Sequence, residues 1–422
     1  MTECITMTKN IPVCGNYDVI VAGGGVAGVA AALSAAREGK KVILMEKTIN
    51  LGGLATIGLI NLFVPMCNGH GVQIIKGMAD EFLHMSRKYG WDNMPDEWKN
   101  GDPGEKAKTR LMCKYSANIL IWQFTELLHN AGVDLLFDTV VSMPKMDGGH
   151  CSGLIVENKS GTQYYTADVI IDTTGDCDVL YRAGVPTVQG KNYHTYISFA
   201  ANINSCKEAA EKENIDKIYR WVNGGKADLY GRNHPENIKH YSGTDVKDIS
   251  RYVVTNQIEA LESIKNDKRF DRDIVTVPTM PQFRTTRHLD GNHTFSADDA
   301  YKHFDDSISA ICDFDRKDYL YEVPYGTLVK DGFDNLITAG RSASAEGYGW
   351  DVLRVIPPAI VTGQAAGLAA CQSIDTKTPI YKIDVKNLQA KLESQNVMIH
   401  FDDKLIPDDM ENAGEKFDIG HV

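Results

Sequence analysis

Residues 17–47 read YDVIVAGGGVAGVAAALSAAREGKKVILMEK, and this stretch decides the fold. Val19 to Ala22 is a short apolar run ending in a glycine cluster, the pattern of a buried parallel strand followed by a tight turn. Ala27, Ala30, Leu33 and Ala36 then recur at helical spacing, Gly39 stops the helix, and Val42 to Met45 forms a second strand. The unit is therefore βαβ. Its glycines fall at 23, 25 and 28, giving GxGxxG. The first makes the turn, the second lets backbone amides approach a pyrophosphate, and the third lets helix and strand pack closely. Glu46 ends the second strand, where a carboxylate accepts from ribose hydroxyls. A dinucleotide site follows, and the pattern leaves NAD and FAD equally open.

Working outward, the 422 residues allow two or three domains at about 150 residues each. Apolar residues make up 43% and charged residues 24%, which describes a folded chain rather than a disordered one. With 44 basic against 56 acidic residues the net charge is −12, so a broad phosphate-backbone footprint, and with it nucleic acid, is excluded. The nine cysteines stand singly with no CxxC pair, so no metal or iron–sulfur ligand spacing is present and a cytoplasmic location is expected. The opening residues lack the basic-then-apolar order of a signal peptide. Two uncharged stretches, Val19 to Ala36 and Thr48 to Ile75, are broken by glycines and Pro65, which suits a pocket and no membrane span. Residues 401–422 carry seven acids and two lysines and read as a solvated tail.

Ser116 to His129 places Ala117, Leu120, Ile121, Phe124 and Leu128 on one helical face. From Val133 to Ile171, β-prone runs alternate with Asp-Gly-Gly and Lys-Ser-Gly turns, giving hairpins that feed a strand over Asp168 to Thr173. Residues of about 186–320 are more polar and mix strands with a helix over Asp248 to Lys265, the pattern of an inserted domain. Near the end, Asn335 to Ala339 reads as a strand, Gly340 and Arg341 as a turn, and a helix starts at Pro357 and Pro358. That helix is built from Ala359, Gly363, Ala365, Ala366, Gly367 and Ala369, so it must lie against another backbone or a flat ligand.

GxGxxG with Glu46, the turn Thr174-Gly175-Asp176 and DNLITAGR with its small-residue helix resemble the FAD-dependent oxidoreductases of the two-dinucleotide-binding-domain flavoprotein superfamily. More narrowly, the chain is similar to the bacterial FAD-dependent oxidoreductase family that includes the flavoprotein subunit of heterodisulfide reductase. LGGLATIGLI from Leu51, FRTTRHLDG from Phe283 and VPYGTLV from Val323 carry the likeness further. Thr285 and His288 depart from it, standing where an acid and a more basic residue are expected. The resemblance implies an α/β fold: a Rossmann-like, glutathione-reductase-like FAD-binding domain (βαβ plus a β-hairpin insertion) holding an inserted mixed α+β substrate domain. Residues 17–85, 130–185 and 320–372 would form the first, 86–129 and 186–319 the second, and 373–422 a C-terminal helix and tail.

The resemblance implies FAD as the cofactor. Gly23, Gly25 and Gly28 would carry the pyrophosphate, Glu46 and Lys47 the ribose, and backbone near Val140 the adenine. Thr174 and Gly175 would border the adenosine half, and Gly340 and Arg341 the pyrophosphate and ribityl chain. Gly53, Leu54 and Ala55 would wrap the flavin ring, with Arg354 and Val355 at its pyrimidine edge. No metal is expected.

For chemistry at the flavin, His70 is a proton donor or tether, beside Cys67 and Asn68. Arg284, Arg287 and His288 form the densest polar cluster and suit an anionic small substrate, since an arginine fork matches a carboxylate. An interdomain ion pair explains the same arginines equally well. His194 and Tyr196 alternate toward one face of a strand, and Tyr348, Trp350 and Asp351 close the pocket or cap its loop. The function read from these residues is an FAD-dependent oxidoreductase transferring hydride between flavin and a small, anionic organic substrate. The competing reading is an electron-transfer module with external iron–sulfur or ferredoxin partners. The partners expected are a small molecule, with NAD(P)H or a protein electron carrier as second redox partner; assembly as a homo-oligomer is compatible with both readings.

Overall fold

The computed structural model describes residues 4–107, 109–228 and 231–408, so most of the acidic tail lies outside the described residues. The central sheet is built from β1 (Val13–Ala22), β2 (Val42–Met45), β3 (Asp134–Leu136), β4 (Val140–Asp147), β5 (His150–Asn158), β6 (Gly161–Asp172) and β7 (Leu336–Thr338). Its order is β3-β2-β1-β6-β5-β4, with β7 also paired to β6. The pairs β3/β2, β2/β1, β1/β6 and β6/β7 are parallel, whereas β4, β5 and β6 form an antiparallel meander. This is the doubly wound α/β architecture with its hairpin insertion.

The apolar ends of β1 and β2 are fully buried and in register from Val19 opposite Val42 to Ala22 opposite Met45. Each of their valines, isoleucines and leucines contributes about 1.5–3 kcal/mol by leaving water. β6 changes partner along its length: Gly161 to Thr166 pair with β5, and Ile170 to Asp172 with β7. Asn335 holds that fork together. Its buried amide donates to the carbonyls of Cys151 and Asp168 and accepts from the Cys151 amide, each at 2.8 Å.

Helix α1 (Val26–Arg37) follows β1 and ends before Gly39, whose φ of 79° only glycine adopts at little cost. Helices α2 (Met78–Tyr89) and α3 (Ala117–Asn130) pack beside it, α4 (Asp178–Arg182) follows β6, and α5 (Gly347–Leu353) leads into α6 (Ile356–Thr376). The small residues of α6 meet a backbone, not a ligand. A Cβ on Gly363 would lie 2.2 Å from the Ala27 carbonyl oxygen, and one on Gly367 would lie 2.4 Å from that of Ala31, both in α1. Among the described residues no single helix is long and apolar enough to cross a membrane; α5 and α6 qualify only as a pair bent by 78°.

Two boundaries differ from the sequence reading. Leu120, Phe124 and Leu128 of α3 belong to the large core with α1 and α6, because the helix turns its apolar face onto α2 rather than onto a separate cap. The hairpin of Ser307–Cys312 and Leu320–Pro324, and Leu388, Leu392 and Ile399 near the C-terminus, join the same core. The inserted cap has its own centre in Tyr196, Tyr241, Tyr252 and Phe283, between the antiparallel strands Arg220–Asn223, Ile197–Asn202 and Arg272–Thr276 and the long helix Val246–Ile264.

Candidate functional site

A cleft opens at the carboxyl ends of β1, β2, β6 and β7, the end at which doubly wound sheets bind ligands. Its floor is the turn from β1 into α1. Gly23 (φ 107°) turns the chain, and the Thr173 hydroxyl fixes the turn by donating to the carbonyls of Gly23 at 2.7 Å and Ala22 at 3.0 Å. Helix α1 has no side-chain cap at Gly25, so its first amides face the cleft without an intrahelical acceptor. A Cβ on Gly25 would touch no protein atom, whereas one on Gly28 would lie 1.9 Å from the Gly23 carbonyl. Gly23 and Gly25 line the cleft; Gly28 lies beneath it as the contact that lets α1 settle on the turn.

Glu46 and Lys47 line the next section. The buried Glu46 carboxylate accepts from the Gly24 amide at 2.7 Å and the Thr48 amide at 2.8 Å. A carboxylate offers about four acceptor positions, so about two remain for hydroxyls on a ligand. Val140 borders this end from β4, as do Thr174 and Gly175 from the turn after β6. That turn is organised by Asp172, which the sequence reading did not single out. Its Oδ1 accepts from the Thr174 amide and hydroxyl, and its Oδ2 from the amides of Val179 and Leu180 at the start of α4. Burial pushes the Asp172 carboxyl upward while these donors pull it back.

At the far end, Gly52 donates its amide to the Gly24 carbonyl at 2.8 Å, binding the second glycine segment to the first, and Gly53, Leu54 and Ala55 line the wall above. Gly340, Arg341 and Arg354 line the opposite side. The Arg341 fork is committed to protein: it donates to the Gly175 carbonyl and to Asp176 Oδ1, each at 2.8 Å, and to the Phe283 carbonyl of the cap. Helix α6 begins at Ile356, which lines the cleft, with Val355 as its cap residue just outside. Pro357 and Pro358 have no amide hydrogen, so this helix start offers fewer donors than α1 does while keeping its positive dipole end.

A family model described as FAD dependent oxidoreductase matches residues 18–218 and 211–392. The chain belongs to that family. This FAD-dependent oxidoreductase is an enzyme whose cofactor is FAD. No curated protein matches it. Similar solved structures include a geranylgeranyl bacteriochlorophyll reductase-like protein from Thermoplasma acidophilum (13% identity, covering 93% of this chain and 94% of that one, TM-score 0.41). A flavoprotein/dehydrogenase from Cytophaga hutchinsonii is 15% identical (90% and 84% covered, TM-score 0.43). L-proline dehydrogenase from P. horikoshii is 12% identical (92% and 100% covered, TM-score 0.42).

The residues expected to do chemistry in this oxidoreductase are placed elsewhere. Arg287 is buried behind the cleft wall, where Nε donates to the Asp176 carbonyl at 2.9 Å, Nη2 to Asp178 at 2.6 Å, and the guanidinium stacks 3.9 Å from the Tyr181 ring centre. His288 pairs with Val188 across a short two-stranded ladder; its Nδ1 meets the Leu289 carbonyl at 2.6 Å and its ring sits edge-on to Trp350. The expectation that Arg287 anchors a substrate is thus corrected: its Nε and Nη2 are spent on the turn after β6, while the His288 Nδ1 is spent on a backbone carbonyl. Arg284 is half-buried, its amide held by Asn192, and is not among the cleft residues. His70 lies outside the cleft between Glu105 at 3.1 Å and Asp318 at 3.0 Å. Cys67 is buried with Sγ accepting from the Leu111 amide, and burial raises its thiol. His194 and Tyr196 face the cap core; His194 is fully buried between Tyr241 and Glu259.

Met280 is a cleft residue the sequence reading missed; Ile57, within the glycine-rich stretch from Leu51, also lines the cleft. Met280 comes from the cap, and the adjacent Thr279 amide donates to the Ile57 carbonyl at 3.1 Å, so the cap closes directly over the far end of the cleft. Nothing in local periodicity marks such a contact between residues this far apart in sequence.

Proposed function

We propose that this enzyme transfers hydride between flavin and a small organic anion admitted where the cap meets the cleft. The observation that carries the reading is the continuous lining from the uncapped start of α1 to the start of α6, ending under Met280, Ile57 and Arg354. The open space at Gly25 and the spare acceptors of Glu46 fit a dinucleotide along this path. Bound FAD supplies the hydride acceptor or donor.

The chain's own residues have separate tasks. The α1 amides would hold the pyrophosphate, Glu46 the ribose hydroxyls, and backbone at Val140 the adenine. Gly53, Leu54 and Ala55 would fix the plane of the ring, and the positive end of α6 would favour negative charge at its edge. Arg354 stands at the substrate end, where two of its nitrogens go to Asp351 and set the plane of its fork. An anchored carboxylate there would orient the reacting carbon, and Ile57 and Met280 would exclude water.

Anaerobic reduction followed at the flavin absorbance band tests the reading, with 2-hydroxy acids, sugars and NAD(P)H as candidate donors and enoates as candidate acceptors that restore the band of the reduced enzyme. Bleaching by an organic acid, lost in Arg354→Met at unchanged FAD content, is the expected result. Bleaching by reduced ferredoxin alone would overturn it.

A further inference from the structure

Outside the cleft, two imidazoles converge on a carboxylate that has no exposed surface. Glu322 lies on the strand Leu320–Pro324 at 0% exposure, a costly position for a charge unless it is compensated. Its Oε1 lies 2.5 Å from His303 Nδ1 and its Oε2 2.9 Å from His400 Nδ1, while the Phe304 amide donates to Oε2 at 2.8 Å. The three side chains come from different parts of the chain, yet one ligand atom of each lies within 4.8 Å of the others. The outer edges of both histidines reach solvent.

A second feature distinguishes this cluster from a plain ion pair. The far ring nitrogen of His303, Nε2, lies 2.7 Å from Asp403 Oδ1. A metal-bound imidazole almost always donates its remaining N–H to a carboxylate or carbonyl, which fixes the ring and strengthens the ligand. The Phe401 ring packs 4.4 Å from the His303 ring on centres and restrains it further.

We propose that His303 Nδ1, His400 Nδ1 and the Glu322 carboxylate bind a divalent transition-metal cation, with Asp403 positioning the His303 ring. Two imidazoles and one carboxylate suit Zn²⁺, with water completing the coordination on the exposed side. The ion is a staple. The segment bearing His400 lies along the hairpin, where the Ala310 amide donates to the Met398 carbonyl and the Ser307 hydroxyl to the Ile399 carbonyl. Metal at this point fastens the C-terminal stretch to the core and takes no part at the flavin.

The test uses the full FAD-loaded protein, stripped with a chelator, dialysed and titrated with Zn²⁺ alone. One Zn²⁺ per chain and a rise in Tm are expected. His400→Ala should abolish both while flavin absorbance is retained, and Asp403→Asn should weaken binding by about 10- to 100-fold without abolishing it. Should His400→Ala fail to fold, His303→Gln, at a half-exposed position, supplies the same comparison. Absence of Zn²⁺ binding to the wild type, or equal binding by the wild type and the histidine variants, overturns the proposal and leaves the histidines as proton-bearing partners of Glu322.

Discussion

The side-chain amide of Gln282 donates to the Gly58 carbonyl at 2.7 Å, joining the cap to the glycine-rich wall of the cleft. The same amide donates to the Ile197 carbonyl at 3.0 Å, and its oxygen accepts from the Ile197 amide at 2.7 Å. All three bonds are buried, so Gln282→Ala strands groups that water cannot reach, at a cost of about 1–3 kcal/mol. Because Gly58 follows the Gly53–Ala55 wall that would fix the ring, the loss is expected at the proposed substrate end. Calorimetry should give a lower Tm, and stopped-flow reduction a slower rate, at an unchanged FAD-to-protein ratio. Loss of FAD in parallel would place the strut at the cofactor instead.

Two glycines of one motif should fail in different ways. Gly25→Ala adds a Cβ that meets no protein atom, so the apoprotein should lose no more than about 1 kcal/mol while FAD affinity falls by about tenfold or more. Gly28→Ala drives its Cβ to 1.9 Å from the Gly23 carbonyl, and the rigid turn cannot yield, so a loss of about 3 kcal/mol or more is expected. Denaturant melts of the apoproteins, paired with flavin titration, separate the two outcomes.

Gly363→Ala tests the contact between α1 and α6. In an open helix the change would stabilise by about 1 kcal/mol. Here the new Cβ lies 2.2 Å from the Ala27 carbonyl, and overpacking costs about 1–3 kcal/mol, enough to reverse the sign. Spreading the helices also shifts the α1 amides, so weaker FAD binding should accompany the lower Tm. A stabilised variant would show that the crossing is looser than its geometry states.

Arg287→Met removes a largely buried partner of Asp178 while retaining most of the side chain's volume. The carboxyl of Asp178 is pushed upward, mainly by its own burial and next by Asp176, and Arg287 is one of the cations that oppose this. Leaving that acid without Arg287 should cost about 2–4 kcal/mol, given that breaking a fully buried pair costs about 3–5. The substrate KM of the surviving enzyme should stay unchanged, because the guanidinium does not line the cleft. A KM that rises tenfold with Tm unaltered would restore Arg287 as the substrate anchor.

The parts of this enzyme legible in its sequence are those written in local pattern. GxGxxG, the acid ending β2 and the small-residue helix follow from spacing alone, and they converge on one cleft. Arg287 misled because residue type shows that an arginine can bind an anion, but not that Asp178 already supplies one. His303, Glu322 and His400 were invisible for a different reason: they lie 19 and 78 residues apart, and only the hairpin and the C-terminal stretch bring them together. The same holds for Met280, which reaches the cleft through the packing of the cap.

His288 makes the last prediction, one of sign. Burial holds its imidazole below the ordinary value of 6.5, and the Leu289 carbonyl and the charges of Asp290 and Glu346 oppose this without reversing it. The unfolded chain therefore takes up a proton at a higher pH than the folded one does. Its contribution to stability is complete above about pH 6.5 and is lost as pH falls through the depressed folded value. His288→Gln has no such proton, so its Tm should drop less than that of the wild type between about pH 7.5 and about pH 5.5. Turnover near neutral pH should survive the substitution, because the ring faces Trp350 and a backbone carbonyl, not the cleft. If the variant lost turnover yet kept the wild-type pH dependence of Tm, His288 would act on substrate and the sequence expectation would stand.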